Sequence, residues 1–376
     1  MKKTILPLSV LASLAFVGAA DAGTPIVSDP KAVIVEEPTD WCESIWSLPT
    51  LYKNDQNAFI QEFKLIGRYQ LQYANVDSKQ GGYSDWENRR WRIGAQAKIL
   101  ENIKLLGQID IDDSFNPTYG GIDEAYIQIA LGSGKFSIGK MKPTFTYEYT
   151  TSSKYISTFE RSQLVNQLIP DKSSGISWVG KAGELNYSAA LYSGDGDDEF
   201  GRFDENVFSV VTVGTDFGFA DWTLGYLYNG SEKNNNTSPY SHSFSNALVF
   251  GGEGPFKVGT DMLYAHGFDG NNAYGLIILP TYDLTEKIQL VGRYQYSYGE
   301  NDTLRAQSRY ERQVPDITDG GHGSSYNAFY GGINYFICED KLKLMAGLEY
   351  SDMDDKAGNG GDFEGWTLFT GVRMYF

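Results

Sequence analysis

The feature that most constrains the fold is an alternation of apolar and polar side chains that returns along most of the chain. In residues 62–75, almost every second side chain is apolar or aromatic, and the positions between them carry mainly lysine, arginine and glutamine. Successive side chains of a β-strand point to opposite faces. A period of two therefore predicts a strand with one apolar face and one polar face.

The alternation predicts sixteen strands, and the breaks between them are short and long in turn. Seven breaks are tight turns. The eight long breaks are 76–86, 115–121, 143–174, 194–205, 230–242, 267–272, 300–325 and 352–363. A break of two or three residues between alternating segments is typical of a hairpin. The sequence therefore predicts an all-β fold, a 16-stranded antiparallel barrel with both termini at the end that carries the short turns.

A soluble β-sandwich and a membrane barrel both use this alternation, but they place the apolar face differently. In a sandwich it packs into the core, whereas in a membrane barrel it faces lipid and the polar face lines the lumen. Strands of about ten residues suit a tilted crossing of a bilayer, and the chain ends in an alternating strand that closes with Phe376. We therefore predict a transmembrane β-barrel over residues 59–376, in contact with outer-membrane lipid. Sixteen strands leave room for a water-filled channel.

The N-terminal residues indicate export. Residues 1–22 combine a basic start, an apolar stretch over 5–17 and a small-residue cleavage site at 20–22, which is the pattern of a signal peptide. Residues 23–58 contain four prolines and no sustained period, and we expect a periplasmic N-terminal segment. The expected location is the bacterial outer membrane.

The two cysteines lie at the same predicted end of the barrel. Cys42 precedes the first strand and Cys338 lies in the last short turn. Exported proteins meet an oxidising compartment. We therefore predict a disulfide between Cys42 and Cys338, with two free buried thiols as the alternative.

The break at 143–174 is unusual because structureless connections of about thirty residues are uncommon in compact domains. It contains apolar side chains, Phe145 and Phe159 among them, that need a surface to pack against. We therefore expect this third long loop to pack against another part of the protein rather than to form a disordered linker.

The predicted lumen face is basic, although the whole chain has a formal net charge of −17. The acidic residues concentrate in the connections near 195–205 and 352–362. Rings of arginine and lysine favour anions in a pore. Alternatively, the inward arginines are solvated or paired with Asp110 and Asp112. The candidate pore-lining and constriction residues are Lys64, Arg68, Arg90, Arg92, Lys98, Lys104, Lys142, Glu160, Arg161, Arg293 and Arg373.

Four short motifs resemble the phosphate-selective porin O and P family. They are NRRWRIG at 88–94, SIGKMKP at 137–143, TSSK at 151–154 and FERS at 159–162. The strand that closes with Phe376 also resembles the C-terminal assembly signal of bacterial outer-membrane proteins, and it departs from that signal at Met374, where an aromatic residue is usual. The family resemblance implies a homotrimer of 16-stranded barrels. It also implies an inward third loop and a route lined by arginines and lysines.

Together these features predict a porin, a channel for passive diffusion of small hydrophilic or anionic solutes, with phosphate as a candidate solute. The C-terminal strand is the expected signal for the outer-membrane assembly machinery. Strong acidity disfavours nucleic acid as a partner. No cofactor or metal is expected, because GDGDDEFG at 194–201 lacks the ligand spacing of a calcium loop. We interpret the acidic loops as a solvent-exposed surface, and divalent-cation binding is the alternative.

Two rival functions differ from a porin. An enzyme in a barrel is disfavoured because none of the three histidines lies in a setting that suggests a catalytic triad. A non-conducting structural or adhesive barrel would share the whole strand pattern, and conductance in a planar bilayer separates it from a porin.

Overall fold

The computed structural model describes residues 41–111, 118–197, 199–204, 206–230, 238–306, 310–318, 320–358 and 360–376. The predicted signal peptide and the first part of the N-terminal segment lie outside the described residues. Three short helices are present: α1 (Trp41–Ser47), α2 (Tyr147–Thr150) and α3 (Gln163–Leu168). None of the helices in these ranges is long and apolar enough to cross a membrane.

All sixteen predicted strands are confirmed. They are β1 (Ile60–Ser78), β2 (Gly81–Ile99), β3 (Ile103–Ile111), β4 (Tyr119–Leu131), β5 (Gly134–Met141), β6 (Ser173–Ala182), β7 (Leu185–Ser193), β8 (Val207–Asp216), β9 (Ala220–Asn229), β10 (Tyr240–Phe250), β11 (Phe256–Gly267), β12 (Ala273–Thr285), β13 (Ile288–Gly299), β14 (Ser325–Cys338), β15 (Leu342–Asp354) and β16 (Phe363–Tyr375). Each strand pairs antiparallel with the next, and β16 pairs with β1. The sheet is therefore a closed barrel.

The apolar face of this sheet points outward. On β1, Phe63 and Leu65 are each 38% exposed, whereas Arg68, Gln70 and Gln72 on the opposite face are buried. A soluble sandwich would show the reverse. The outward apolar band and the inward polar face are the arrangement of a membrane barrel.

The prediction of a long connection at 76–86 is wrong. Strands β1 and β2 both extend to 19 residues, and only Lys79 and Gln80 join them. The pairing continues because outward aromatic side chains meet across the two strands, with the Tyr73 and Trp86 ring centroids 5.2 Å apart. Such cross-strand pairs stabilise a sheet. The first hairpin therefore continues past the last described pair of β2 with β3, while β1 stays paired with β16 as far as Ser78.

The barrel seam is closed by the C-terminal residue. Phe376 exchanges two backbone hydrogen bonds with Gly67, at 3.0 and 3.1 Å. A Cβ atom on Gly67 would lie 2.3 Å from the Phe376 ring, so only glycine admits the aromatic ring at this position. The short strand Thr50–Lys53 pairs with β1 beyond this point.

The N-terminal segment is attached beside the same seam. Cys42 on α1 forms a disulfide with Cys338, with Cα atoms 5.7 Å apart. Trp46 Nε1, on the same helix, donates a hydrogen bond to the carbonyl oxygen of Tyr375. Residues from both ends of the chain therefore meet at the short-turn end of the barrel.

A second connection, at 300–324, occupies part of the opposite end. Leu304, Tyr310 and Val314 from this connection are buried in one cluster with Val76 and Met353 of the strands. Its strand-like residues form a two-residue ladder, Leu304–Arg305 with His322–Gly323. This packing covers part of the inner wall near β1 and β15.

Candidate functional site

The third long connection, residues 142–172, carries the helices α2 and α3. Helix α2 begins after Thr146, whose side-chain oxygen accepts a hydrogen bond from the backbone N–H of Tyr149. This is the preferred role of threonine at a helix N-terminus. Between and after these helices the connection runs without regular structure, so side chains of the barrel wall must satisfy its backbone.

Basic side chains of the wall supply many of those partners. Arg293 Nη1 donates to the Glu160 carbonyl at 2.6 Å, Arg373 Nη2 to the Phe159 carbonyl at 2.7 Å, and Lys343 Nζ to the Ile156 carbonyl at 3.2 Å. Strands β13, β15 and β16 therefore hold the connection against one side of the lumen.

Acidic residues complete this attachment. Arg293 Nη2 lies 2.7 Å from Glu349 Oε2 on β15, and Arg293 Nη1 lies 3.3 Å from Glu148 Oε1 on α2. Arg293 and both carboxylates are buried. Buried charges need such pairing, because removal of one partner leaves an uncompensated charge.

Apolar contacts hold the connection against the same half of the wall. Phe159 stacks on Phe369 of β16 with ring centroids 5.2 Å apart. Leu164 of α3 lies against Gly275 of β12, where a Cβ atom would be 2.6 Å from the leucine side chain. The apolar residues that distinguish this connection from a linker thus pack on inward-facing positions of the strands.

A cavity of about 270 Å³ lies between the connection and strands β1, β2 and β4. Seven basic side chains and two acidic ones contribute to its wall. Its lining is Arg68, Arg89, Arg90, Arg92, Glu124, Lys142, Tyr149, Ser152, Ser153, Arg161, Asn166, Ile169, Asp171 and Lys172. The excess of cations makes this cavity the candidate functional site.

Several of these cations donate to neutral oxygens. Arg68 Nη1 donates to the Ser153 hydroxyl, Arg90 Nη1 to Gln70 Oε1 at 2.8 Å, and Lys142 Nζ to the Thr151 carbonyl at 3.1 Å. These acceptors orient the side chains without neutralising them. The positive charges of Arg68 and Arg90 therefore remain available to a solute.

Arg161 is held in the same way from within the connection. Its Nε donates to the Glu148 carbonyl at 2.9 Å and its Nη2 to the Thr151 carbonyl at 3.0 Å. The guanidinium carbon lies 5.0 Å from the ring centroid of Tyr149, over which Lys142 Nζ also lies, at 4.6 Å. One partly buried aromatic face thus contacts both basic side chains.

Other cations of the cavity are paired with carboxylates. Arg92 lies 2.6 Å from Asp110 and 2.9 Å from Asp123, and Lys172 contacts Asp123 and lies 3.5 Å from Glu124. Asp123 reaches the lumen because the register of β4 shifts between Glu124 and Ile122. This part of the wall therefore has nearly balanced charge. For Arg92 this agrees with the alternative interpretation that the inward arginines pair with neighbouring aspartates.

Arg89 is a site residue that the period-two pattern did not identify. The register between β1 and β2 shifts at this point, so that Gln70 faces Arg90 while the next residue, Leu71, faces Asn88. The extra residue is Arg89, which makes a bidentate pair with Glu160 at 2.7 and 3.1 Å. A β-bulge of this kind re-aims a side chain, and strict alternation cannot anticipate it.

The remaining predicted site residues lie away from the cavity. Lys104 Nζ donates to the Tyr126 hydroxyl at 3.1 Å, Lys98 faces Lys104 across β2 and β3, and Lys64 lies 3.3 Å from Glu62. All three positions are nearer the short-turn end. Arg293 and Arg373 lie beneath the connection, only 4% and 3% exposed.

The electrostatics of the connection follow from burial among like charges. Burial lowers the pKa of Lys142 to about 6, and the neighbouring Arg161 and Lys172 act in the same direction. Burial likewise lowers the pKa of Lys154 to about 8, with Arg68 contributing. Burial would raise the pKa of Glu160, but Arg89 and its hydrogen bonds hold that pKa well below the usual range.

Sequence comparison finds a matching family. Residues 63–235 match the family described as phosphate-selective porin O and P. The matched range includes most of β1, all of β2 and the third connection, and every residue of the cavity lining, so the resemblance of the short motifs is confirmed. No curated protein shows significant sequence similarity to the chain.

Solved outer-membrane proteins share the fold at low identity. An anion-selective porin from Comamonas acidovorans has a TM-score of 0.59 at 11% identity, with 84% of this chain and 99% of that chain covered. OmpT of Vibrio cholerae has a TM-score of 0.58 at 15% identity, covering 86% and 100%. The channel DcaP of Acinetobacter baumannii has a TM-score of 0.54 at 11% identity, covering 86% and 99%. The family match and the shared closed-barrel fold together support an outer-membrane porin channel.

Proposed function

We propose that this porin conducts small hydrophilic solutes by passive diffusion and prefers anions. The observation that carries the proposal is the cavity beside the third connection. There Arg68, Arg90 and Lys142 donate to neutral acceptors, and Arg161 donates to backbone carbonyls. Low-dielectric walls focus the field of such a cluster.

The attachment of the third connection directs the route. The connection is held by β13, β15 and β16 and also contacts β1 and β2. The cavity that remains between it and the wall is lined by β1, β2 and β4, and we assign the route to this cavity. A permeating ion therefore passes Arg68, Arg90 and Arg161, whereas Arg293 and Arg373 serve as anchors. Lys64, Lys98 and Lys104 continue the basic wall toward the short-turn end.

Phosphate is the solute that we rank first. Arginine guanidinium groups bind phosphate oxygens with short, charge-assisted hydrogen bonds, and the hydroxyls of Ser152 and Ser153 line the same cavity. The family description names phosphate. Glu160 and Asp171 moderate the positive charge, which favours passage over permanent binding.

We further propose that the barrel assembles as a homotrimer, as OmpT of Vibrio cholerae does in its trimer form. Residues 1–22 direct export, residues 23–58 form a periplasmic segment, and the strand ending in Phe376 is read by the assembly machinery. The proposed channel needs no cofactor and performs no catalysis.

The decisive experiment is reversal-potential measurement in a salt gradient across a planar bilayer. Wild-type porin is expected to prefer chloride to potassium, and added phosphate is expected to reduce the chloride current. Arg90→Gln and Arg161→Glu should lower the anion preference, whereas Lys79→Gln, which removes an exposed cation paired with Glu364, should not.

Two results would contradict the proposal. Absence of conductance at every voltage would favour a structural or adhesive barrel. Conductance with the same selectivity in Arg90→Gln and Arg161→Glu would move the constriction elsewhere, with the connection at 300–324 as the next candidate.

A further inference from the structure

Two of the three histidines of this chain lie directly opposite each other on neighbouring strands. His242 of β10 pairs in register with His266 of β11, and their ring centroids are 6.3 Å apart. Both side chains belong to the outward-facing row that includes Phe244 and Tyr264. We propose that this pair binds one divalent transition-metal ion, such as Zn²⁺, Ni²⁺ or Cu²⁺, at the loop end of the barrel exterior.

The hydrogen bonds of His266 leave its Nε2 atom free to act as a ligand. Asn272 Nδ2 donates to Glu300 Oε2 at 2.9 Å, which directs the amide oxygen Oδ1 toward His266 Nδ1, 2.7 Å away. An amide oxygen accepts hydrogen bonds, so Nδ1 of His266 carries the proton. In the neutral ring the lone pair is then on Nε2.

The second ring is held by a hydroxyl group. Tyr226 OH lies 2.8 Å from His242 Nδ1, and a phenol oxygen accepts a proton donated by Nδ1 as readily as it donates one. A metal ion bound at Nε2 of His242 selects the tautomer in which Nδ1 carries the proton and donates it to the Tyr226 hydroxyl oxygen. Metal-binding histidines usually donate their other ring N–H to an oxygen in this way, and here both rings have such a partner.

The separation of the rings suits a shared ion. With metal–nitrogen bonds of about 2.0–2.1 Å, two imidazoles on one ion have centroids roughly 5–6 Å apart. The observed 6.3 Å therefore requires only a small rotation of the side chains. Register fixes the two backbones, so little further ordering is needed.

The ligand set selects the class of ion. Imidazole nitrogen suits zinc, copper and nickel, whereas magnesium and calcium require oxygen ligands. The described residues include no group of three or more metal-binding side chains, so water molecules would complete the coordination. We therefore expect a site that binds these ions more weakly than a structural zinc centre and exchanges them readily.

This site is independent of the proposed anion route, because its residues face outward from strands on the far side of the barrel from Arg68 and Arg90. An ion bound to both histidines would connect β10 to β11 and stabilise the folded barrel by mass action.

The test uses the full-length mature porin without a polyhistidine tag, in detergent, after treatment with a chelator. Titration with Zn²⁺ and with Ni²⁺ should show one ion per chain. His242→Gln and His266→Gln should each abolish this binding, and Asn272→Leu should weaken it by roughly 10–100-fold through loss of the hydrogen bond at Nδ1. His322→Gln is the matched control and should bind like the wild type.

Heat-dependent mobility in gels and the single-channel conductance report folding of each variant. Both should equal those of the wild type, and Zn²⁺ should raise the unfolding temperature of the wild type and of His322→Gln alone. Unchanged binding in folded His242→Gln and His266→Gln, or loss of binding in His322→Gln, would overturn the assignment.

Discussion

Arg89 of β2 and Glu160 of the third connection form a bidentate ion pair, with Nε 2.7 Å from Oε1 and Nη2 3.1 Å from Oε2. Gln72 joins the pair by donating to Glu160 Oε1 at 3.1 Å and to the Tyr310 hydroxyl at 2.8 Å. The Glu160 carboxylate thus connects the third connection to the barrel wall, and Gln72 extends this network to the connection at 300–324. The carboxylate also places a negative charge beside a basic cavity.

Glu160→Gln is expected to increase the anion preference. The change removes one negative charge and leaves Arg89 unpaired, while the amide keeps the size of the side chain. A unit charge about 4 Å away changes the energy of an ion by about 1 kcal/mol in a water-like dielectric, or roughly fivefold in occupancy. The reversal potential in a potassium chloride gradient measures this change.

Glu364→Gln is the matched control for that substitution, since Glu364 pairs with Lys79 in an exposed position. Exposed pairs contribute little, so the selectivity of this variant should equal that of the wild type. An equal or lower anion preference in Glu160→Gln would show that Arg89 does not contribute to the permeation route.

Arg293→Met should release the third connection from the wall. The substitution removes the hydrogen bond to the Glu160 carbonyl and leaves Glu349 without its 2.7 Å partner. Breaking a buried pair from one side costs about 3–5 kcal/mol. We expect a larger conductance, a weaker anion preference and a lower unfolding temperature.

Arg202→Met tests whether those effects are specific to the anchor. Arg202 lies in the connection after β7, outside the third connection, and its replacement should leave conductance and unfolding unchanged. If Arg293→Met had the wild-type conductance, the connection would be held by its apolar contacts, chiefly Phe159 on Phe369.

The sequence was sufficient for the strands and insufficient for the details of the site. Alternation reports which face of a strand a residue occupies, and it therefore placed Arg68, Arg90 and Arg92 on the inner face. It could not separate a cation that lines the cavity from one beneath a loop, because Arg90 and Arg293 obey the same pattern. That distinction depends on where a 31-residue connection lies, which local periodicity does not encode.

Two local irregularities of the strands also could not be predicted from the sequence. The register shift that turns Arg89 toward Glu160 and the one that buries Asp123 beside Lys172 each add one residue to a strand. A β-bulge arises from the fit of two strands. It therefore has no signal in the sequence of either strand alone.

Removal of the disulfide by Cys42→Ser should destabilise the barrel without changing its selectivity. The bond joins residues 296 positions apart in sequence, and disulfides that close long segments contribute about 2–5 kcal/mol. The temperature at which the folded band disappears from gels should fall, and a reductant should lower that of the wild type equally. Trp46→Phe, which removes only the hydrogen bond to Tyr375, should have a smaller effect.

Acidification should increase the anion preference through Lys142. Burial lowers the pKa of this lysine to about 6, below its ordinary value, so the side chain is neutral above that pH and gains a positive charge as the pH falls through it. The groups that face it are Arg68, Arg161, Lys172 and Glu124. Reversal potentials between pH 8 and pH 5 should therefore shift toward anions with a midpoint near pH 6.

Two variants serve as controls. In Lys142→Met, any remaining change of reversal potential with pH comes from the carboxylates of the cavity. Lys142→Arg is charged at every pH, so its reversal potential at pH 8 should already equal the value that the wild type reaches at pH 5. If wild type and Lys142→Met titrate identically, Lys142 keeps one charge state throughout.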